Sequence, residues 1–234
     1  HAALASVHDS FNWDFSSAEK EYRRAIELDP KYPTAHHWYS LYLSGLGRHE
    51  QAIAESERAY ELDPLSPIIS IVRSRVFYNA RQYDRAIEAA RKTLELDKGF
   101  SQALLSLGLA LEQKKMYPEA IAELEEAVRL SGRSIQAVAA LGHAYAVSGR
   151  REEAMRLIGE LKGWSERGYD PLPNIALVHA GLGQNDEAMR WLEKAYQARS
   201  AWLILLALKV SPRWDALRSD ARFQDLLRRI GFPS

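Results

Sequence analysis

Histidine is the residue type in this sequence that most directly suggests chemistry. The 234 residues contain seven histidines and no cysteine, which excludes disulfides and thiolate metal sites. His36, His37 and His49 lie close together in the chain, and Glu50 follows. Adjacent residues of a helix point about 100° apart, so His36 and His37 cannot both face one ion, and no HExxH spacing occurs. We therefore predict no metal site, with imidazoles that pack in the interior or line a groove.

The other motifs that could do chemistry are weak. The GLG phrases at 45–47 and 181–183 are typical of turns, and no glycine-rich phosphate loop is present. The carboxylates of GRREEA at 149–154 fall on the solvated start of a predicted helix. The serines show no recognisable histidine and aspartate partners. We predict that the chain is not an enzyme and has no cofactor.

Composition narrows the classes of partner. The 31 basic and 31 acidic side chains cancel, with an isoelectric point near 7.2, which argues against direct nucleic-acid binding. The best apolar run, 201–208, has eight residues. A membrane span needs about 20, so no membrane association is expected. With no initial methionine and no signal peptide, the sequence is interpreted as a piece of a longer cytoplasmic protein.

A 34-residue period dominates the sequence. The same phrase returns as AEKEYRRAIELDP at 18–30 and as AIAESERAYELDP at 52–64. A fixed period of this length is typical of stacked repeats, in which each unit buries its apolar face only against its neighbours. The column that defines the register is alanine at six positions, Ala18, Ala52, Ala86, Ala120, Ala154 and Ala188.

Each repeat predicts two helices joined by a short polar turn. Gly47, Gly149 and Gly183 stand where the end of a first helix favours a left-handed residue. Asp84 and Asp186 are expected to cap the helix that follows. Asp-Pro pairs then predict the end of the second helix, since proline cannot continue it. Apolar side chains recur at helical steps in the first-helix segments 34–44, 102–111 and 135–147.

The last 35 residues differ from the repeats. The phrase AWLILLALK at 201–209 predicts the first helix of a seventh repeat. A further helix, from about Asp220 to Ile230, carries arginines on one side and apolar residues on the other, as a terminal cap of a solenoid requires. The predicted organisation is thus six repeats in 1–199, the first truncated, and a partial repeat with a capping helix in 200–234.

The columns resemble the tetratricopeptide repeat family, whose 34-residue unit has a small residue at position eight, alanines at twenty and twenty-seven, and proline at thirty-two. Gly108 and Gly142 match position eight, whereas Lys98 and Gly132 stand where proline is expected. The resemblance implies an all-α fold, a right-handed superhelical solenoid of antiparallel helix pairs. Its concave groove is lined by the first helix of each repeat. Repeat five ends early, and the superhelix is expected to be irregular at 163–173.

Groove positions of the family identify candidate binding residues. Apolar residues with isolated polar points suit a protein or peptide ligand whose register is fixed by Arg75, Glu112 or Gln102. The alternative is that Ile71, Leu105 and Leu109 pack against neighbouring helices. The lysine and asparagine pattern of the chaperone-binding members is absent. Carried over by position, the candidates are His37, Leu41, Ile71, Arg75, Tyr78, Gln102, Leu105, Leu109, Glu112, Gln136 and His143.

A narrower resemblance concerns the phrases at 12–30, 35–55 and 217–232. They are similar to the C-terminal repeat regions of large bacterial regulatory proteins, including winged-helix regulators, serine/threonine kinases and adenylate cyclases. This implies a docking or sensory arm that binds a protein or peptide. Two alternatives stay open, a self-association module that forms homo-oligomers and a small-ligand sensor.

Overall fold

The chain folds into a succession of antiparallel helix pairs. This computed structural model describes residues 1–233, in which no strand occurs, while Ser234 of the predicted capping element lies outside the described residues. A π-helical turn, His8–Asn12, follows α1, and a 3-10 helix, Pro212–Leu217, precedes α14. The all-α solenoid expected from the sequence is confirmed. The helices are α1 Ala2–Val7, α2 Phe15–Leu28, α3 Pro33–Gly45, α4 His49–Leu62, α5 Pro67–Asn79, α6 Tyr83–Leu96, α7 Ser101–Gln113, α8 Tyr117–Leu130, α9 Ile135–Val147, α10 Arg151–Glu166, α11 Leu172–Gly181, α12 Asn185–Gln197, α13 Trp202–Leu205 and α14 Ala221–Ile230.

The ends of the helices lie where local sequence signals predict them. Gly47, Gly149 and Gly183 follow first helices with φ of 83°, 85° and 70°. In the repeats without this glycine, Arg81 and Lys115 adopt the same left-handed conformation, each with φ 61°. Helices α2 and α4 both end immediately before an Asp-Pro pair. The end of a helix is therefore set by a few neighbouring residues, as the pattern indicates.

The capping role predicted for Asp84 and Asp186 is wrong. In both helices the N-cap is the residue two positions earlier, and no side chain caps the helix. Each aspartate instead lies in the first turn, where its charge suits the positive end of the helix dipole. Asp84 forms an ion pair with Lys114, and Asp186 pairs with Arg222 at 2.8 Å.

Small residues lie where the helices cross most closely. The six alanines of the repeat column are all fully buried. A Cβ atom on Gly108 would lie 2.6 Å from Cγ of Leu124, and one on Gly142 would lie 2.9 Å from Cγ2 of Val178. The backbones at these crossings therefore exclude any side chain, because a Cβ would overlap a packed neighbour.

The expected irregularity lies between α10 and α11. Helix α10 has 16 residues, whereas the second helices α4, α6 and α8 have 14 each. Helix α11 has 10 residues, whereas the first helices α3, α5, α7 and α9 have 13 each. Asp170 accepts a hydrogen bond from Ser200 Oγ at 2.6 Å, which ties this connection to the start of the C-terminal segment.

The chain leaves the repeat pattern after α12, and the predicted helix at 201–209 is wrong. Helix α13 has four residues, and Ala207 takes φ 50°, which a helix cannot contain. The run is apolar on all sides and lacks the polar face of a surface helix. Leu203 and Leu208 of this run are fully buried, whereas Leu205 stays 39% exposed. Helix α14 forms where the sequence places it and packs against α12.

Residues 202–213, here the crossing segment, turn back across the concave face toward the first repeats. Val210 lies against Gly47 at the end of α3. Just beyond the segment, Asp215 accepts two hydrogen bonds from Arg81, both at 2.8 Å. One apolar core consequently contains side chains of α2 and α3 together with side chains of α11 to α14. Fully buried Trp214 belongs to this core.

Candidate binding groove

The concave face and the crossing segment enclose a cavity of about 460 Å³. First helices α5, α7 and α9 form one wall, and the crossing segment forms the other. Corresponding faces of three successive repeats meet here because each first helix stacks on the previous one. Seven of the predicted groove residues line this central cavity, namely Ile71, Arg75, Tyr78, Gln102, Leu105, Leu109 and Gln136.

Arg75 lines the central cavity between Ile71 and Tyr78 of α5. Its Nη2 donates a hydrogen bond to the backbone oxygen of Leu205 in the crossing segment at 2.8 Å. The side chain keeps accessible surface, which it presents to the cavity, although protein surrounds it. Burial therefore lowers the pKa of the Arg75 guanidinium, and the charge of Arg213 lowers it further.

Three polar groups around Arg75 lack partners among residues 1–233. They are the Tyr78 hydroxyl, the Ser211 hydroxyl and Nε of Arg213. The two hydroxyls are close neighbours, but they do not meet hydrogen-bond geometry. Burial raises the pKa of Tyr78, so this phenol stays protonated and able to donate. Buried polar groups are normally paired, and a cluster of unpaired ones is therefore informative.

A second, smaller cavity of about 160 Å³ lies on the N-terminal side of Arg75, which lines both cavities. Leu41 lines it, among aromatic side chains of α2 and α3. Its buried carboxylate is paired, since Asp9 accepts hydrogen bonds from Ser10 at 2.6 Å and from Tyr22 at 3.0 Å. Burial raises the pKa of Asp9.

Comparison with known proteins agrees with this architecture. Three family models, each described as tetratricopeptide repeat, match residues 21–54, 72–135 and 174–201, together more than half of the chain. The chain belongs to the tetratricopeptide repeat family. No curated protein matches its sequence.

Solved tetratricopeptide structures share the fold over most of their length. PilW, titled a widely conserved type IV pilus biogenesis factor, superimposes with a TM-score of 0.62 at 16% identity over 97% of this chain and 96% of its own. A thermophilic tetratricopeptide protein of Thermus thermophilus, TTC0263, gives 0.59 at 20% identity, with 84% and 99% covered. PilF of Pseudomonas aeruginosa gives 0.56 at 14% identity, with 97% of both chains covered. At such identities the likeness shows the fold alone.

Two predicted groove residues of this tetratricopeptide chain lie outside the cavities as a buried pair. Glu112 on α7 and His143 on α9 are both almost fully buried, with Nδ1 of the histidine 3.0 Å from Oε2 of the carboxylate. Gln113 donates to the other carboxylate oxygen at 3.0 Å. The pair joins consecutive first helices and leaves Glu112 with its acceptor atoms engaged.

The adjacent histidines of α3 differ in their surroundings. His36 has Nδ1 2.6 Å from Glu55 and Nε2 3.0 Å from the backbone oxygen of Pro30, and the hydrogen bond with Glu55 raises its pKa. The predicted groove residue His37 is buried edge-on against Trp38, and burial lowers its pKa to about 4. They point to different neighbours, as the 100° turn between adjacent helical residues requires.

In 1–233, no three histidine, aspartate or glutamate side chains gather as metal ligands would. None of the helices in that range combines the length and the apolar character needed to cross a bilayer.

Sequence reasoning missed one wall of the central cavity. Leu205, Ser211 and Arg213 come from the crossing segment, which lies more than 100 residues beyond α5 and about 90 residues beyond the end of α7 in the sequence. The available signal was the apolar run at 201–208, which has no polar side and therefore needs burial on every face. That pattern indicates burial, but it does not say against which repeats.

Proposed function

We propose that this chain is a scaffold that binds a protein or peptide in its concave groove, without catalysis of its own. The central cavity carries the proposal, because groove positions of three successive repeats line it together. Leu105 and Leu109 are half-buried and keep surface for a ligand, while Ile71 belongs mainly to the core. A groove that exists before binding reduces the ordering cost of recognition.

The ligand would enter at the N-terminal ends of the first helices. Ile68, the second residue of α5, lines the cavity and is 44% exposed, whereas Tyr78 near the end of the same helix is 6% exposed. Gln102 and Gln136 hold the equivalent second positions of α7 and α9. An apolar side chain of a peptide can insert between these helices, while the amides bond its backbone.

A peptide-display selection on the immobilised chain tests this function. Wild type is expected to enrich related sequences, which Ile68→Glu at the cavity entrance should bind at least tenfold more weakly. Leu65→Glu is the matched control, since Leu65 is 75% exposed just before α5 and does not line the cavity. Failure to enrich any sequence contradicts peptide binding, and equal loss in both variants contradicts the groove.

We also propose that the chain is the docking or sensory arm of a larger bacterial regulatory protein in the cytoplasm. The support is the similarity of the phrases at 12–30, 35–55 and 217–232 to the repeat regions of such proteins. The reading frame upstream of His1 tests it. A winged-helix, kinase or cyclase domain encoded in frame would support the proposal, and an unrelated domain or a start codon directly before His1 would contradict it.

Self-association is a second candidate, favoured by an apolar surface on the first helical turns. Leu4, Val7 and Phe11 are 48%, 45% and 61% exposed on α1 and the π-helical turn. A second copy could cover them, since exposed apolar patches commonly mark interfaces. Light scattering across a hundredfold concentration range should then show a dimer that Phe11→Asp dissociates. A wild-type monomer at the highest concentration would contradict this candidate.

A further inference from the structure

Two arginines without a direct ion-pair partner among residues 1–233 line the central cavity beside Tyr78. They are Arg75 and Arg213. The bond from Arg75 to the Leu205 oxygen satisfies one N–H group and leaves the charge. Two like charges in a partly desolvated site repel each other, so the empty arrangement is costly.

The same place holds unused hydrogen-bond donors. Tyr78 is 6% exposed and Ser211 is 2% exposed, yet neither hydroxyl has a partner within residues 1–233, and Nε of Arg213 is also unpaired there. Leaving buried polar groups without partners is unfavourable unless a ligand or water completes them. These groups are all hydrogen-bond donors, since guanidinium and hydroxyl groups can donate together to a single anion.

We propose that this part of the cavity binds the head of a small organic anion, a carboxylate that carries an apolar body. The planar forks of Arg75 and Arg213 match the two oxygens of a carboxylate, and Tyr78 and Ser211 supply further donors. The anion supplies the missing negative charge and the missing acceptors together. This proposal goes beyond peptide binding, since it names a small molecule and a different part of the cavity.

The shape of the cavity sets the character of the rest of the ligand. Ile68 and Tyr78 are ten residues apart on α5, so the cavity extends about 15 Å from its entrance to its charged end. Leu105 and Leu205 line it from opposite walls. Cavities of this kind, apolar with a few convergent polar groups, are the usual form of a small-molecule site.

The donors at the charged end favour a carboxylate over a phosphate. Phosphate groups in proteins are commonly held by backbone N–H groups at the start of a helix. The starts of α5, α7 and α9 lie at the opposite end of the cavity, near Ile68, Ser101 and Gln136. The carboxylate of Glu112, which lies near enough to Tyr78 to affect its pKa, is already hydrogen-bonded to His143 and Gln113.

Calorimetric titration of the whole chain with a matched ligand series tests the proposal. Sodium octanoate is expected to bind and to raise the melting temperature. Octanamide has the same apolar body without charge and should bind at least tenfold more weakly. Equal binding of the two would overturn the anion site. Binding of acetate and chloride as tight as that of octanoate would show an adventitious ion only, and would also overturn it.

Variants locate the binding and separate it from a structural role. Arg213→Gln and Arg75→Gln should each weaken octanoate at least tenfold, while Arg91→Gln on the exposed face of α6 should leave it unchanged. Without ligand, Arg213→Gln should melt at the same or a higher temperature than wild type, because one repelling charge is removed. Unchanged octanoate binding in both groove variants would overturn the assignment, and Tyr78→Phe, expected to weaken binding about threefold, provides a second test if either fails to fold.

Discussion

The crossing segment covers two stretches of the concave face with different results. On the N-terminal stretch a space of about 160 Å³ remains, because Tyr22, Trp38 and Tyr42 fill most of the volume. On the stretch formed by α5, α7 and α9 a space of about 460 Å³ remains, lined mainly by aliphatic and short polar side chains. The covering segment is the same in both places, so the size of the side chains on the repeats decides which part of the groove becomes core.

The two stretches also differ in hydrogen bonding: the tyrosine hydroxyls are paired in the tightly packed N-terminal stretch and unpaired in the central stretch. In the N-terminal stretch Tyr22 donates to Asp9 at 3.0 Å, and Tyr42 donates to the backbone oxygen of Phe15 at 2.7 Å. In the central stretch the hydroxyls of Tyr78 and Ser211 have no partners among residues 1–233. A fully paired polar cluster stabilises a fold, whereas unpaired donors facing a cavity remain available to a ligand.

Removal of the Trp214 side chain should destabilise both stretches, because the same C-terminal residues cover them. Trp214 is fully buried and packs against Phe223. Trp214→Ala should lower the free energy of unfolding by about 3–5 kcal/mol, measured by urea denaturation. Trp202→Ala, at a half-buried tryptophan of the central cavity, is the control and should cost clearly less. Equal losses of unfolding free energy in the two variants would show that Trp214 does not hold the C-terminal segment in place more than Trp202 does.

Acid should weaken the N-terminal stretch through His37. Its pKa is about 4 in the folded state because of burial, so the unfolded chain takes up the proton first as the pH falls below the ordinary value of about 6.5. This group alone should remove about 2 kcal/mol of stability between pH 7 and pH 5. Denaturation of wild type and His37→Leu at both pH values measures the effect. The raised pKa of His36 acts in the opposite direction, adding stability as the pH falls.

An equal slope in wild type and His37→Leu would contradict that prediction. His36→Gln is the useful companion variant, because loss of the opposing contribution should make the decline toward pH 5 steeper than in wild type.

Added volume should be accepted in one stretch and rejected in the other. Leu105 faces the central cavity, so Leu105→Phe should change the free energy of unfolding by less than about 1 kcal/mol. Leu43 is 1% exposed within the packed N-terminal core, and Leu43→Phe should cost about 1–3 kcal/mol. Denaturant unfolding compares the two, and a higher cost at Leu105 would mean that the central cavity closes in solution.

The smallest expected effect concerns the ion pair between Arg81, which follows α5, and Asp215, which follows the crossing segment. Arg81 and Asp215 make two hydrogen bonds, but their side chains are 49% and 43% exposed. Solvent screens such a pair, so a double-mutant cycle should give a coupling of about 0.2–1 kcal/mol. A coupling energy above this range would show that the Arg81–Asp215 ion pair, as well as apolar packing, holds the C-terminal residues in place.

Local signals account for the part of the fold that was predictable from sequence. Gly47 marks the end of a first helix because its left-handed φ cannot continue a helix. The alanines that recur every 34 residues mark the helix crossings because only small residues fit there. The tetratricopeptide groove positions followed from the same register. Asp84 misled because an aspartate near a helix start suits either the cap or the first turn, and the difference is two residues.

The path of the crossing segment could not be predicted in the same way. Apolar residues at 201–208 satisfy a helix, a strand or a buried extended stretch equally well. Which surface buries them depends on the shape of a groove that exists only after the repeats have stacked. Arg213 shows the limit most clearly, because its charge acquires meaning only beside Arg75 on a distant helix.

The contacts between the residues that follow α12 and the earlier repeats also change how the chain should fold. An open array of repeats has only near-neighbour contacts, so it can nucleate anywhere and fray at either end. Here Arg81 meets Asp215 across 134 residues, and Asn12 meets Arg199 across 187. Such contacts raise the contact order and slow the final step, since almost the whole chain must be ordered before they form. During synthesis the first repeats leave the ribosome early, but they reach full stability only after the C-terminal residues have been made and packed against them.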